Sequence, residues 1–301
     1  MNFASFYDDQ PVLVTGPRGF IGSHLGARLT NLGARLTPFE ADIRDEAAIR
    51  EAVIGQKVIF HLAGRSGAVA SNLQPLEDLE VNCKGLLNLL EACRLHNPEA
   101  RIVFASSRLV YGPPQQLPVT EAHPTRPTSI YGLHKLTSEH YLRMYHELYG
   151  IPAVSLRITN PYGPVYNLKN RSYGVLNIFM QLALSNATIK LYGQGSQLRD
   201  FIYIDDLVEA FLVVGQGPKM DGDIFNVCGD EAVSLREAAE IIVSEVGRGK
   251  IEHVPWPPDT KRVETGDFLA DISKIKRMTG WQPRTKFRKG IQKAIAQVSL
   301  L

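Results

Sequence analysis

Tyr131 and Lys135 stand four apart within residues 129–145, where Leu133, Leu136, Tyr141, Met144 and Tyr145 recur near helical spacing. On a helix the two project from one face. A phenol ordinarily ionises at about pH 10, too high for a base at neutral pH. A neighbouring ammonium favours the phenolate and lowers that value. A Tyr-x-x-x-Lys pair can therefore take a proton from a hydroxyl or return one. The spacing alone also fits one core residue beside one solvated residue, so its meaning depends on the rest of the chain.

The strongest companion signal comes early. Pro11-Val12-Leu13-Val14-Thr15 is a short apolar run that leads into Gly16-Pro17-Arg18-Gly19-Phe20-Ile21-Gly22. Leu25, Leu29 and Leu32 then keep helical spacing, which predicts strand, glycine turn, helix. Gly16 permits the tight turn, Gly19 lets backbone approach a pyrophosphate, and Gly22 lets the helix pack closely. The helix start at Phe20 and Ile21 faces the phosphates. An ordinary glycine turn reads the same way in isolation, but a place at the first strand-to-helix junction points to a dinucleotide, NAD or NADP. An NAD site usually carries an acid about 20 residues beyond the glycines for the ribose hydroxyls. Glu40 lies near that distance. Arg18 and Arg35 could instead meet a ribose 2′-phosphate, or be solvated arginines.

These groups need elements to hold them. Strands are predicted at residues 35–39, 57–62, 101–105 and 152–157, with a long helix over 76–96. Leu62-Ala63-Gly64 ends one strand in small residues that let a cofactor approach, and His61 beside them suits a local hydrogen bond. Ala105-Ser106-Ser107 ends another. Serines at the carboxyl end of a buried parallel strand sit where open α/β sheets bind ligands, although a cap or turn serine is the alternative. Residues 113–127 hold five prolines and read as a surface loop. Strands and helices alternate through the first half, predicting an α/β fold: a Rossmann-type, doubly wound parallel sheet. Residues 1–165 are assigned mainly to this dinucleotide-binding domain. Residues 166–301 are assigned mainly to a smaller C-terminal substrate-binding lobe, with the chain crossing between the two. In that lobe, helices are predicted at 175–184, 205–214, 234–246 (behind a Ser234 cap), 273–279 and 286–298. Residues 189–202 read as strand, turn, strand.

Composition excludes several classes. The chain has 301 residues, 44% hydrophobic and 21% charged, which is ordinary globular usage. A net charge of +2 gives no reason to expect nucleic acid or an anionic membrane as partner. No apolar run approaches the roughly 20 residues that span a bilayer, and residues 1–10 carry no signal-peptide pattern. Cys83, Cys93 and Cys228 are scattered; they read as buried thiols in a reducing, cytoplasmic compartment, and no metal site is expected.

Taken together, the motifs resemble the extended short-chain dehydrogenase/reductases, specifically the nucleotide-sugar epimerase/dehydratase family, over nearly the whole length. Gly16, Gly19 and Gly22 match that family's cofactor loop, and Asp42-Ile43 its adenine-contacting segment. Leu62-Ala63-Gly64, Asn82 and Ala105-Ser106 match further cofactor-side segments. Ser107, Tyr131 and Lys135 match its catalytic set. Asn160-Pro161-Tyr162-Gly163-Pro164 resembles the motif whose Asn meets substrate, and Gly193-x-Gly195 with Arg199-Asp200-Phe201 the motif whose Arg meets the nucleotide diphosphate. The resemblance implies substrate contacts from Ser107, Arg108, Tyr131, Asn160, Gln197 and Arg199, and a homodimer built on two long helices. It implies an NAD(P)-dependent epimerase of nucleotide-diphosphate sugars acting at carbon 4 through a keto sugar. The alternatives are an NADPH-dependent reductase of a nucleotide-linked 4-keto-6-deoxysugar and a non-catalytic dinucleotide-binding protein of the same fold. Arg108 and Leu109 stand where the family's dehydratases and decarboxylases carry carboxylates. The cysteine and histidine of its fucose-synthase branch have no obvious counterpart at Arg108 or in residues 171–176.

Overall fold

A computed structural model describes residues 3–164 and 174–298. The expected domain boundary at 165/166, and residues 171–173, lie outside them. Strands β1 (Pro11–Thr15), β2 (Arg35–Phe39), β3 (Val58–His61), β4 (Arg101–Ser107) and β5 (Ala153–Ile158) come first. They are followed by β6 (Asn160–Tyr162), β7 (Thr188–Tyr192), β8 (Leu198–Tyr203), β9 (Ile224–Val227), β10 (Ala232–Ser234) and β11 (Lys250–Val254). Six of them form one parallel sheet in the order β2-β1-β3-β4-β5-β9. Helices α1 (Ala4–Tyr7), α2 (Phe20–Asn31), α3 (Glu46–Val53), α4 (Ala68–Leu73), α5 (Pro75–Leu79), α6 (Gly85–His96) and α7 (Ile130–Tyr149) are interleaved with the first five strands. The second half adds α8 (Gly174–Leu184), α9 (Ile204–Gly215), α10 (Leu235–Val246), α11 (Pro258–Val263), α12 (Ser273–Thr279) and α13 (Phe287–Val298).

Alternation along the strands builds two cores. Val12, Val14 and Phe60 face one side, where Leu25 and Leu29 of α2 and Phe211 of α9 meet them. Leu13, Ile59, Ile102 and Phe104 face the other, covered by Ile49 of α3, Leu86 and Leu90 of α6 and Leu142 of α7. Burying one such side chain contributes about 1.5–3 kcal/mol, so both faces need their helices. The doubly wound α/β reading holds.

Four features go beyond the sequence reading. The predicted helix over 76–96 is continuous from α5 into α6 but holds a π-helical turn, Glu80–Lys84, around Asn82. Helix α3 was not foreseen, although Asp45 caps it by accepting from the backbone N–H groups of Ala47 and Ala48. The two strands within residues 189–202 do not pair with each other: β7 joins β11, and β8 lies between β6 and β10. Gly193 and Gly195, both left-handed at φ 62°, turn the chain from one sheet to the other. Strand β9 returns to pair with β5, so the second half contributes to the central sheet.

Candidate active site

Strand order reverses between β1 and β3, and ligands of open α/β sheets bind beyond the carboxyl ends of strands at such a point. Gly16 turns there with φ 69°, and a Cβ on it would lie 2.8 Å from the Ala63 backbone nitrogen. A Cβ on Gly22 would lie 2.2 Å from the Gly16 carbonyl oxygen, so Gly22 lets α2 pack on the loop itself. Gly19 stands at the N-cap of α2 and makes no side-chain cap. This bare cradle, which a side chain would fill, fits a dinucleotide pyrophosphate. Thr15 Oγ1 accepts from the N–H groups of Leu62 and Ala63 at 3.2 and 3.1 Å and contacts buried His61 Nδ1. Burial pushes the His61 imidazole down to about 3, so it is neutral and structural. Asn82 is buried: its Oδ1 accepts from Arg65 N and its Nδ2 donates to the Arg65 carbonyl, both at 3.2 Å. It clamps the Gly64–Arg65 loop at the crevice rim, where a Cβ on Gly64 would meet Asn82 Oδ1 at 2.6 Å.

The ribose-reading candidates separate. Glu40 follows β2 directly and is ion-paired with Arg18, whose Nε donates to it at 3.3 Å. Arg35 is excluded. It begins β2, at the end of the sheet opposite the crevice, and donates to the Asp9 carbonyl at 3.0 Å. Asp42 is exposed and gripped by Arg44, which holds its carboxyl down at about 2, while Ile43 is buried against Gly85.

Ser107, Tyr131 and Lys135 converge where β4 ends. Lys135 Nζ donates to the Ala105 carbonyl at 2.9 Å and lies 4.6 Å from the Phe104 ring centroid. Burial lowers its ammonium to about 8. Ser107 caps a short turn, its Oγ accepting from Leu109 N at 3.2 Å. Tyr131 differs from expectation: its phenol is pushed up to about 12, not down. Desolvation is the main cause, a hydrogen bond with Ser107 opposes it, and buried Asp78 adds to the rise. The Lys135 ammonium, 5.8 Å from the Tyr131 ring centroid, does not overcome that burial. Ser106 also departs from expectation. Its hydroxyl turns away from the crevice and donates to buried Glu139, which is paired with Arg157 at 2.6 Å.

Sequence reasoning missed the groups that place Tyr131. Ser71 Oγ accepts from Tyr131 N, and Asn72 Oδ1 from Ile130 N, both at 2.9 Å. Ser129 Oγ accepts from Gly132 N at 3.2 Å. Two caps therefore come from α4, across the crevice loop. Asp78 was missed as well; it contacts His134 Nδ1 at 2.6 Å and accepts from Asn82.

Of the residues read as substrate contacts, Asn160 lies on β6, Arg199 on β8 and Gln197 just before β8. Asn160 and Asn177 each carry a buried amide nitrogen with no hydrogen-bond partner among the described residues. Both suit a ligand oxygen; Asn177 was missed because it sits on a helix, α8, far along the chain. Gln197 is half-buried, and its carbonyl accepts from Leu235 N. Arg199 is buried and engaged. It donates to the carbonyls of Leu198 and Gly266 and is ion-paired with Glu264, not with its neighbour Asp200. Asp200 is buried, accepts from Ala270 N at 2.6 Å, and burial raises its carboxyl to about 7. Arg108 is half-buried beside Ser107, donating one hydrogen bond to Thr265 Oγ1 at 3.0 Å above the Phe268 ring. Burial and Arg199 lower it to about 10, so it stays charged at neutral pH.

A glycine cradle on one side of the crevice and a Ser–Tyr–Lys set on the other are the marks of an extended short-chain dehydrogenase/reductase. The chain belongs to the NAD dependent epimerase/dehydratase family, which it matches over residues 12–228. A UDP-glucose 4-epimerase of Mycolicibacterium smegmatis is 32% identical over 94% of this chain and 96% of that protein. Among solved structures, the Thermus thermophilus UDP-glucose 4-epimerase in complex with NAD is 29% identical, with a TM-score of 0.87 over 96% of this chain and 99% of that one. The Methanobrevibacter ruminantium UDP-N-acetylglucosamine 4-epimerase, in complex with UDP-N-acetylmuramic acid, is 26% identical. Its TM-score is 0.88 over 98% of this chain and all (100%) of that one. Among the described residues no helix is long and apolar enough to cross a membrane.

Proposed function

We propose that this protein is an NAD-dependent epimerase of nucleotide-diphosphate sugars that inverts carbon 4. The observation that carries this reading is the convergence of Ser107, Tyr131 and Lys135 at the end of β4, facing the Gly16 cradle. A bound nicotinamide supplies the place where the hydride is held. Tyr131 takes the proton of the sugar hydroxyl and later returns it. Ser107 orients that oxygen, and Lys135 supplies positive charge beside the phenol. The keto sugar then turns over within the pocket and is reduced on its other face. Asn160 and Asn177 offer amide N–H groups, unpartnered among the described residues, to substrate oxygens.

Glu40 favours NAD over NADP. A carboxylate at the end of β2 accepts from ribose hydroxyls and repels a 2′-phosphate, and it already neutralises Arg18. The same feature weighs against the NADPH-dependent reductase. Residues 1–165 serve mainly the cofactor and 166–301 mainly the sugar nucleotide. The chain works as a homodimer in the cytoplasm; its three cysteines are buried free thiols, as a reducing compartment permits.

The test is incubation of the purified protein with UDP-glucose, UDP-N-acetylglucosamine and UDP-glucuronate, read by NMR. Inversion at carbon 4 without net consumption of added NADH or NADPH supports the epimerase. Stoichiometric NADPH oxidation on a 4-keto substrate, with no inversion, would support the reductase instead.

A further inference from the structure

Near Tyr131 and Lys135 lies a buried acid that the proposed chemistry does not use. Asp78 stands in the last turn of α5, and α7 brings His134 onto it, Nδ1 to Oδ1, at 2.6 Å. The same oxygen accepts from Asn82 Nδ2 at 3.0 Å. As a carboxylate Asp78 only accepts, which places a hydrogen on His134 Nδ1 and turns the amide nitrogen of Asn82 toward it. The Asn82 amide is thereby fixed in orientation. Its nitrogen and oxygen also hold the Arg65 carbonyl and N–H, both at 3.2 Å. Asn82 Oδ1 and Lys135 Nζ flank one spot in that loop: a Cβ on Gly64 would lie 2.6 Å from the first and 3.5 Å from the second. One chain of contacts thus runs from the turn of α7 that carries Lys135 to the loop at the crevice. The π-helical turn around Asn82 belongs to it, and such turns are frequent at functional sites.

The charges facing Lys135 single out the same acid. Burial lowers the ammonium, and Asp78, Cys83 and Glu139 oppose that, Asp78 most. Glu139 of α7 is already paired with Arg157 of β5. The Cys83 thiol is pushed up to about 11, chiefly by burial, so it is neutral. His61 of β3 is neutral too. Among the described residues Asp78 is ion-paired with no lysine or arginine, only set against His134. Its charge also helps to hold the Tyr131 phenol up, after burial.

We propose that Asp78 and His134 are a positioning pair for this reaction: through Asn82 they hold the Gly64–Arg65 loop against the turn of α7 that carries Lys135, and they set the charge around Lys135 and Tyr131. The inference rests on the epimerase reading above.

The experiment compares Asp78→Asn, His134→Ala, His134→Asn and Ser138→Ala with the wild type. NAD affinity is measured by calorimetry, and turnover of the UDP sugar that the wild type inverts is followed against pH. Asp78→Asn keeps the shape and removes the charge, so NAD should bind roughly 2- to 10-fold more weakly, the range for one weakened hydrogen bond. Loss of a negative charge makes every group that faces it more acidic. Both limbs of the pH–rate profile should therefore move to lower pH, by roughly one pH unit. His134→Ala should lose NAD affinity to a similar degree, and His134→Asn, which keeps a donor near the Nδ1 position, should recover it. Ser138→Ala is the control. It removes an uncharged bond between the same elements, Ser138 Oγ to the Asn82 carbonyl at 3.2 Å, and should lower stability alone. Wild-type NAD affinity in Asp78→Asn, a rate that falls equally at every pH, or the same losses in Ser138→Ala overturns the pair. A wild type that binds NAD but inverts no UDP sugar overturns the epimerase reading, and the NAD titrations then decide the pair by themselves. A wild type that binds no NAD overturns both.

Discussion

Burial, more than neighbouring charge, governs the catalytic residues in the free protein. It raises the Tyr131 phenol to about 12 and lowers the Lys135 ammonium to about 8. In the free protein the phenol is therefore protonated at neutral pH. To take the sugar proton it would need the phenolate favoured on ligand binding, with the positive charge of a bound nicotinamide adding to that of Lys135. Tyr131→Phe removes only the hydroxyl, so turnover should fall about 10²–10⁴-fold while NAD affinity is kept; steady-state assays of the mutant alongside NAD titration check this. Asp200 gives a second prediction. Its carboxyl titrates near 7 when folded and near 3.8 when unfolded, so the native state binds the extra proton between those values. Stability from this group is fully present below about pH 4 and is lost as pH rises towards 7 and beyond. Asp200→Asn should flatten that slope, read as thermal midpoints at pH 5 and pH 8. A slope identical to wild type would show that Asp200 does not titrate in this window.

Each site residue depends on an element that is itself anchored. The first turn of α7 carries Tyr131 and is capped from α4 by Ser71 and Asn72. Losing one cap costs about 1 kcal/mol. Ser71→Ala should therefore lower stability by about that much and also reduce turnover, because it frees the backbone of Tyr131 itself. Ser234→Ala serves as the comparison: it removes the cap of α10, bonded to Glu237 N at 3.1 Å, and should cost similar stability with turnover unchanged. Urea midpoints and rates measured side by side separate the two. In the cradle, Gly16→Ala forces a side chain into a left-handed turn, which costs roughly 1–2 kcal/mol before any clash. It also drives a Cβ against the Ala63 backbone. NAD affinity should fall by about tenfold or more, and retention of wild-type affinity would show that the cradle is not the pyrophosphate site.

At the scale of the whole molecule, an apolar face is left over once both sides of the sheet are covered. Leu76 is 76% exposed and Leu79 43% on α5, and Leu133 46%, Met144 49% and Leu148 64% on the neighbouring α7. The apolar positions of these helices thus exceed what the sheet needs. A two-fold axis that pairs α5–α6 and α7 with their copies would bury them. Sedimentation at micromolar concentration should give a dimer for the wild type. Leu76→Glu and Leu148→Glu, which place charge on that face, should shift it to monomer. A wild-type monomer would leave these leucines as plain surface.

Local spacing made much of this protein legible before any coordinates. The Gly16–Gly22 turn, the Tyr131–Lys135 pair and the serine at the end of β4 all lie within single strand–turn–helix units, where a few residues dictate geometry. The α/β alternation follows for the same reason, since strand and helix periods are local properties. What escaped the sequence is what long-range packing brings together. Arg199 meets Glu264 across 65 residues, and Ser106 meets Glu139, so residues with a ligand-facing look became internal partners. Arg35 fell at the wrong end of its strand, because the carboxyl ends of a parallel sheet are defined only once the strands assemble. The direction of the Tyr131 shift was likewise beyond reach. Sequence places an ammonium four residues away, but desolvation depends on every chain segment that closes over the phenol, and only the tertiary structure sets that balance.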